Sequence, residues 1–534
     1  MRVSTCWFTL LFVVMVSATA LASPTEGGTG YTAEVDPKEP GFQFNGLPGE
    51  YRFDFHRVSG FTIDEDGTQG GIEKWGEHRL RLSPELSFRP FYVRVELDVL
   101  GGQILGDHEN FYPEGFRLDR RNENSGLGFD GFLLREAYVQ YASPWVALRI
   151  GQMASEYGLG LLANAGREDD NRFGVRRYGD IVDRAMVLFT PFQGIWGPEH
   201  SLAPLTFMAS GDMVYRDENA DFMAGDNAYM ANAGLMYRHD KYENNIIFTY
   251  RDQEDEDGDT LEVYALNLNG RNRFVLDTML GEEGKQVPNL SFKLEYEAAW
   301  LFGKTDRLQQ LGAEDGLNIN AFAAVGRLGF EMAKVGLEAE VEVGYASGDK
   351  DAHDDESHSF SFDPDYNVGM IFFDEMLPLI TARSAEISAD PSHLQVPPKG
   401  LDLIASQGRV TNTLYYFPQI RYTLAPGVVW MEKFKAMFGA LLLSTASPLA
   451  HSYYTFRNGG VATNYFGRET DSSFLGTELL LSIQGDFWVW PEHVGLSVRA
   501  QGGAFLPGDA LADLDGNTPD SVYKGLLTLA LFWK

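Results

Sequence analysis

Val335-Gly-Leu-Glu-Ala-Glu-Val-Glu-Val-Gly-Tyr345 decides how the chain is read. Val335, Leu337, Ala339, Val341, Val343 and Tyr345 are apolar, with Gly336, Glu338, Glu340, Glu342 and Gly344 between them, a period of two without exception over eleven positions. Successive side chains of a strand point to opposite faces, so this segment is a strand with one apolar face and one face bearing three glutamates. The pattern recurs at Phe91-Val93-Val95-Leu97-Val99, interleaved with Tyr92, Arg94, Glu96 and Asp98. It returns at Phe292-Leu294-Tyr296-Ala298-Trp300 against Lys293, Glu295 and Glu297. Leu475-Thr477-Leu479-Leu481-Ile483 alternates with Glu478, Ser482 and Gln484, and Val494-Leu496-Val498-Ala500 with Ser497, Arg499 and Gln501.

A soluble antiparallel sheet with one wet face gives the same alternation. Length separates the two cases. Strands of soluble proteins usually run five or six residues, a bilayer-crossing strand needs about 9–11, and these segments are roughly 10–16 long. No amphipathic helix is evident to cover the apolar faces, and no later run approaches the 18 apolar residues of a membrane helix. The pattern therefore predicts an all-β chain forming a single transmembrane antiparallel β-barrel. Eighteen candidate strands centre near residues 55, 80, 95, 136, 149, 186, 208, 233, 247, 266, 296, 324, 340, 420, 438, 481, 500 and 528. An even number suits a barrel with both termini on the periplasmic side.

Connection lengths test the count. Alternate gaps are short turns: Ser143-Pro144, His239 to Tyr242, Met332 to Lys334, Ala425 to Val429 and Pro491-Glu492. The others are longer and polar, at 100–130, 156–179, 216–226, 347–412, 447–473 and 508–521, the asymmetry of periplasmic turns and outer loops. One gap, 272–288, is long where a short turn is due, which leaves 16 strands open. Trp145, Trp196, Trp430, Trp488, Trp490 and Trp533 fall at inferred periplasmic ends, and Trp75 and Trp300 at outer ends, as interfacial aromatic girdles would place them.

Residues 1–22 read as a cleaved signal peptide: a basic start at Arg2, an apolar core from Trp7 to Val16, and Ala20-Leu21-Ala22 at the cleavage site. The single cysteine, Cys6, lies inside it, so the exported chain is expected to have no disulfide and no thiolate metal site. Residues 23–50 form a periplasmic N-terminal segment and 51–534 the barrel. Among the 534 residues, 76 acids against 43 bases give a formal charge of −33, which argues against a nucleic-acid partner. A 13% aromatic content excludes a disordered chain.

The stretches Leu134-Arg-Glu-Ala-Tyr-Val-Gln-Tyr-Ala142, Val146-Ala-Leu-Arg-Ile-Gly-Gln152 and Tyr157-Gly-Leu-Gly160 resemble the third and fourth strands of the bacterial alginate-export and porin-like barrels. Tyr345-Ala-Ser-Gly-Asp349 followed by Phe362-Asp-Pro-Asp-Tyr-Asn-Val-Gly369 is similar to the same group. The resemblance implies an outer-membrane channel of Gram-negative type. Its partners would be outer-membrane lipid, lipopolysaccharide and the barrel-assembly machinery, its cargo a polar solute or polysaccharide. Two departures stand out. Exporters of that group line the pore with many bases for an anionic polymer, whereas the polar faces here are mixed and partly acidic. The aromatic that usually ends such barrels comes one place early, as Trp533 before Lys534, and is the candidate insertion signal.

Mapping charges onto the inward faces gives the candidate pore-lining set. Arg79, Arg81, Arg94 and Arg149 lie on strands two to five, and Glu295, Glu297, Glu338, Glu340 and Glu342 on strands eleven and thirteen; Arg421 and Arg499 complete it. The two groups are about nine strands apart, so they either face one another as opposed charged walls or pair with neighbours and keep the wall wet. The loop from Leu161 to Asp180 carries Arg167, Glu168, Asp169, Asp170, Arg172, Arg176 and Arg177, and either folds inward or stays solvated. Asp349 to Asp365 is rich in acids, with His353 and His358 among them. Such oxygen-rich segments suit calcium, but the spacing matches no known loop, so it reads as a solvated outer loop and no metal is assigned. No zinc-protease, serine-hydrolase, P-loop or dinucleotide motif is present, so no cofactor and no catalytic residue is assigned. The expectation is a channel passing polar solutes or an exported polysaccharide by diffusion. The alternatives are a barrel enzyme acting on surface lipid or peptide, and a plugged structural or adhesive barrel.

Overall fold

The computed structural model describes residues 42–70, 74–106, 132–167, 172–175, 179–239, 241–280, 286–310, 315–351, 353–394, 396–425, 428 and 430–533. Residues 1–22, read as a signal peptide and containing Cys6, loop residues 168–171 and 176–178, and Lys534 lie outside them. Eighteen long strands run in chain order: β1 Gly49–Val58, β2 Lys74–Leu82, β3 Phe91–Gly106, β4 Leu133–Ala142, β5 Val146–Ala154, β6 Ile181–Phe189, β7 Leu205–Arg216, β8 Asn227–His239, β9 Tyr242–Glu254, β10 Thr260–Leu280, β11 Gln286–Thr305, β12 Leu317–Met332, β13 Leu337–Ala346, β14 Thr413–Leu424, β15 Met431–Thr445, β16 Phe474–Trp490, β17 Val494–Pro507 and β18 Val522–Trp533. Each pairs antiparallel with its sequence neighbours, and β1 pairs with both β2 and β18. The sheet is therefore a closed 18-stranded barrel, and each of the eighteen expected strand centres falls inside one of its strands.

The anomalous gap 272–288 is not a loop. Strands β10 and β11 are 21 and 20 residues long and stay paired out to Leu280 opposite Gln286. Pairing to β9 ends at Asn272 and pairing to β12 at Leu290, so the hairpin runs past the rim as a two-stranded ribbon. The alternation of residues 335–345 is also two residues shorter than it reads. Ala333–Val335 is a 3-10 turn, and Gly336, at φ 66°, turns the chain into β13. A Cβ at Gly336 would lie against the backbone carbonyl of Thr423, so this turn requires glycine.

Side-chain facing follows the parity. On β16, Leu479, Leu481 and Ile483 are exposed while Leu480 and Ser482 are buried; on β18, Tyr523, Leu527, Leu529 and Leu531 are exposed while Lys524, Leu526, Thr528 and Ala530 are buried. An outer wall of exposed apolar side chains on long strands is the surface hydrocarbon solvates. Two assignments to it are corrected. Leu475 is buried, because the register shifts between Leu443 and Ser444 opposite Gly476 and Phe474, and that bulge turns Leu475 inward. Trp75 is buried rather than part of a girdle: its ring stacks on His56 at 4.5 Å and its Nε1 donates to Glu77 at 2.7 Å. Trp145, Trp196, Trp300, Trp430 and Trp490 are exposed.

One rim carries short turns and the other long segments, several of which turn into the barrel. Residues 360–389 run inside the ring as a five-residue π-turn, Phe372–Met376, continuing into α1, Leu377–Ala389. No amphipathic stripe announces this helix in the sequence, because ten of its thirteen residues are buried and Thr381, Ser384 and Ser388 are among them. A helix that is covered all round shows no amphipathic stripe. Fully burying a Leu, Ile, Phe or Met side chain contributes about 1.5–3 kcal/mol, against about 1–2 kcal/mol per residue for ordering backbone. Met370, Ile371, Phe372, Phe373, Met376 and Ile380, each at most 1% exposed, hold the segment against inward Leu441, Leu480, Phe505 and Leu526.

The facing makes a direct prediction. Leu481→Arg places a cation in hydrocarbon at a cost of about 2–4 kcal/mol and should prevent the heat-modifiable shift of a folded barrel on gels. Leu514→Arg, at an equally open leucine in a loop beyond β17, should assemble normally. Equal assembly of the two variants contradicts the facing.

Candidate functional site: the barrel lumen

Each strand contributes every second residue to the lumen, and bulges add to this. Between Glu96 and Leu97 the β3–β4 register shifts, so Arg135 and Glu136 both turn inward and are buried. The resulting network on β1–β4 is dense. Arg79 pairs with Glu50 at 2.9 Å, and Arg81 grips Asp98 at 2.6 and 2.8 Å. Arg94 reaches Glu136 at 2.6 Å, Glu85 at 2.8 Å and Glu96 at 3.2 Å. Arg149 on β5 donates to Gln140 and lies 4.7 Å over the Tyr138 ring.

The acidic set is equally engaged. Glu295 meets Arg327 at 3.5 Å, and Glu338 meets Lys293 at 3.2 Å and Arg421 at 3.0 Å. Glu340 pairs with Arg172. Glu342 takes Arg327 at 2.8 Å and accepts the hydroxyls of Tyr415 and Tyr366 at 2.6 and 3.0 Å. Arg499 donates to the Gly174 carbonyl at 3.4 Å. Of the two arrangements open to these charges, the geometry is local pairing: acids sit beside the bases on β1–β4, and bases beside the acids on β11–β14. Opposite charges alternating along one wall cancel within a few ångströms, so no uniform field spans the lumen from these ladders.

The loop 155–180 folds inward through its described residues. Leu161 is fully buried and Phe173 is 2% exposed, packing on Phe417 with ring centroids 5.9 Å apart. At Gly439 on the wall beneath them, an added Cβ would stand 2.7 Å from the Phe417 ring and 3.1 Å from Phe173. Arg167 pairs with Glu136 at 3.0 Å, and Arg135 donates to the Ala165 carbonyl at 2.7 Å. Arg172 is set between Glu340 and Glu342. Glu168, Asp169, Asp170, Arg176 and Arg177 lie outside the described residues. The segment Asp349–Asp365 divides: its start lies at the rim, whereas Phe360, Phe362, Asp363 and Asp365 are buried in the barrel rather than solvated.

Two wall carboxylates fasten the inward segments by their backbones. Glu297 accepts the amides of Leu159 at 2.5 Å and Leu161 at 3.4 Å while Asn267 donates to its other oxygen at 2.6 Å. Glu478 accepts the amides of Met370, Ile371 and Phe372 at 2.6, 3.0 and 3.2 Å, which satisfies the donors at the entrance to the π-turn. Lys524 meets Glu375 at 2.6 Å and Asp374 at 3.3 Å on the following turn. Glu297 belongs to the sequence-derived pore set; Glu478, Lys524 and the fully buried pair of Arg184 on β6 with Asp212 on β7, 2.7 Å apart, do not. Their signal was a lone charge among apolar inward neighbours, as Glu478 stands beside Leu480.

Exposure grades along the β10–β14 side of the lumen. Towards the short-turn rim the charged side chains are open, with Arg273 at 40%, Arg421 at 32% and Lys293 at 30%. At the level of Arg172 they close, with Glu340 at 8% and Glu342 at 5%. Trp533 ends β18 with its Nε1 donating to the Leu47 carbonyl at 2.8 Å, tying the last strand to the segment before the first.

No family model matches the chain, and no curated protein matches it. Among solved structures, the chain is similar to Pseudomonas aeruginosa OpdL, at 10% identity and a TM-score of 0.45 over 91% of this chain and 97% of that one. It is similar to the outer membrane protein opdK of the same organism, at 11% identity and 0.44 over 91% and 99%. It is likewise similar to Acinetobacter baumannii OccAB1, at 9% and 0.43 over 91% and 97%. The barrel stands on its own strand pairing, and no residue role or substrate is carried over from these proteins.

The carboxylate clamp at the π-turn is testable. Glu478→Gln keeps the volume but points an amide NH2 group at buried N–H donors, and should cost about 1–3 kcal/mol. Added trypsin should then cut after Arg383 in α1 of the variant barrel and leave the wild type intact. Equal resistance would mean that apolar packing alone holds the segment.

Proposed function

We propose that the chain is an outer-membrane channel for small polar solutes, narrowed at mid-depth by its own inward segments. The observation that carries this reading is the graded lumen. On the β10–β14 side, charged side chains stand open to water from the short-turn rim up to one layer, where Arg172 from an inward loop meets Glu340 and Glu342 of the wall. A wall of alternating fixed charges offers a solute hydrogen-bonding partners in place of lost hydration, as selective pores do. An apolar solute gains nothing there. The set Arg79, Arg81, Arg94, Arg149, Glu295, Glu297, Glu338, Glu340, Glu342, Arg421 and Arg499 is assigned to this path, and Trp533 to insertion. A polysaccharide exporter fits less well, because the described residues of 155–180 and segment 360–389 occupy room that a continuous polymer would need. The apolar packing of 360–389 favours a second reading, a permanently plugged barrel.

Planar-bilayer recording separates the two. The wild type should conduct, and Arg172→Ala, which removes the cation that offsets two wall carboxylates, should raise conductance and move the reversal potential toward cations. The shift should be clear at 0.1 M KCl and small at 1 M, where the Debye length is about 3 Å. Absence of any conductance in both proteins is the outcome expected of a plug. Cell fractionation tests the last strand: loss of Trp533 with Lys534 should abolish outer-membrane insertion, while loss of Lys534 alone should not.

A further inference from the structure

Three carboxylates from remote parts of the chain converge where the inward segments meet the wall. Asp180 precedes β6, Glu218 lies in the connection from β7 to β8, and Asp363 opens the inward segment. One oxygen from each lies within 4.8 Å of the others. Asp180 and Asp363 are buried, at 7% and 2% exposure. Each accepts a hydrogen bond: Asp180 Oδ2 from the Asn164 amide at 3.1 Å, Asp363 Oδ1 from the Asp365 amide at 2.7 Å, and Glu218 Oε1 from the Asn219 side-chain amide at 2.6 Å. Asp363 Oδ2 is buried with no hydrogen-bond partner. An acceptor in that state costs about 1–3 kcal/mol unless something positive reaches it.

Arg251 and Arg409 stand near Glu218 and favour its charged form, and each has a close partner of its own. Arg251 grips Asp217 at 2.5 and 3.1 Å, and Arg409 donates to the carbonyls of Ser406 and Ala405. Burial, and after it the facing of Asp363 on Asp180, pushes Asp180 well up. Burial with Asp217 alongside pushes Glu218 up to about 7, and burial with Asp365 alongside pushes Asp363 well up. Arg251 and Arg409 offset the three carboxylates only in part, and the Asp180 and Asp363 carboxyls stand within hydrogen-bond reach of one another, two acceptors that one cation or one proton can bridge.

We propose that Asp180, Glu218 and Asp363 bind a calcium ion that clamps both inward segments to the β7–β8 connection. The donor set is all hard oxygen, which suits calcium or magnesium rather than a softer metal. Ligands about 2.3–2.6 Å from one ion stand at most about 5 Å apart, so the observed spacing admits a shared calcium. Glu218, the half-buried member, leaves room for the waters and carbonyls that complete six to eight ligands. The site is independent of whether the lumen conducts. Its effect is mechanical, because the chain enters β6 at Asp180 and enters the lumen at Asp363.

The test uses the full barrel in detergent after chelation, with calcium chloride as the probe and magnesium chloride beside it. Titration calorimetry should register one calcium per chain. The temperature at which the heat-modifiable form is lost should rise with calcium and saturate, since a ligand of the folded state alone stabilises it. Glu218→Gln should move the half-effect concentration up by about tenfold or more, as ligand charge sets affinity. Asp363→Asn should do the same, while Asp515→Asn, in an exposed acidic turn, should leave the response unchanged. Magnesium should act only at higher concentration. Wild-type protein with no calorimetric signal and no thermal shift overturns the proposal whatever the variants do. So does a calcium response undiminished in both Glu218→Gln and Asp363→Asn. If either neutral variant is more heat-stable while calcium leaves the wild type unmoved, the carboxylates share protons and hold no metal.

Discussion

Hydrocarbon offers no hydrogen-bond partner, and every backbone N–H and C=O inside it must be satisfied within the protein. The pairing of Gly49–Val58 with Val522–Trp533, the first and last long strands, meets this condition by removing both edges of the sheet. The rest follows from that closure. A closed sheet of this length sends alternate side chains to lipid and lumen, so the outward set must be apolar and the inward set is free to carry charge. Strand number then fixes a lumen too wide for wall side chains alone to fill, and leaves room for chain to enter.

What enters must bring its own donors to satisfaction, and the wall provides acceptors at two points. Glu297 and Glu478 each take more than one backbone amide from a segment that has left the sheet. A carboxylate serves this purpose better than a neutral acceptor, because it is acceptor-only and charge-assisted bonds are stronger. Around these anchors the lumen is built in two manners. Apolar packing of Ile371, Phe372 and Phe373 against β15–β18 is close and dry, while β1–β4 and β11–β14 carry paired charges. The inward segments therefore have a firmly seated face on one side of the ring and a polar one on the other.

The frame was legible because parity is a strong signal in long strands. Leu479, Leu481 and Ile483 could be placed outside, and Glu478 and Ser482 inside, from spacing alone. The misreadings each have a local cause. Leu475 was misplaced by a bulge, which reverses facing without changing composition. The ribbon 272–288 reads as an overlong gap where a short turn is due, because two strands beyond the membrane need not alternate. Helix α1 was invisible because burial on all sides removes its period, and Leu377–Ala389 reads as an undistinguished mixture. The lumen was half legible. Which residues point inward follows from parity, but Arg172 meets Glu340 across 168 residues of sequence, and no spacing rule reports that. The meeting of Asp180, Glu218 and Asp363 is hidden for the same reason.

The ribbon formed by the ends of β10 and β11 has a consequence for how the protein keeps company with its own kind. Beyond Arg273, whose amide donates to the Lys241 carbonyl, and Leu290 the two strands pair with no outer strand among the described residues, so their flanks present open backbone groups at the short-turn rim. Such flanks are templates for adding a strand from another molecule, and Phe274 and Leu276 make them sticky. Two features blunt that. The register is broken between Val275 and Asp277, which twists the flank out of line, and Pro288 lacks a donor where a recruited strand would look for one. With Asp277 set into the same stretch, the ribbon projects from a sealed sheet without offering a usable seed for aggregation.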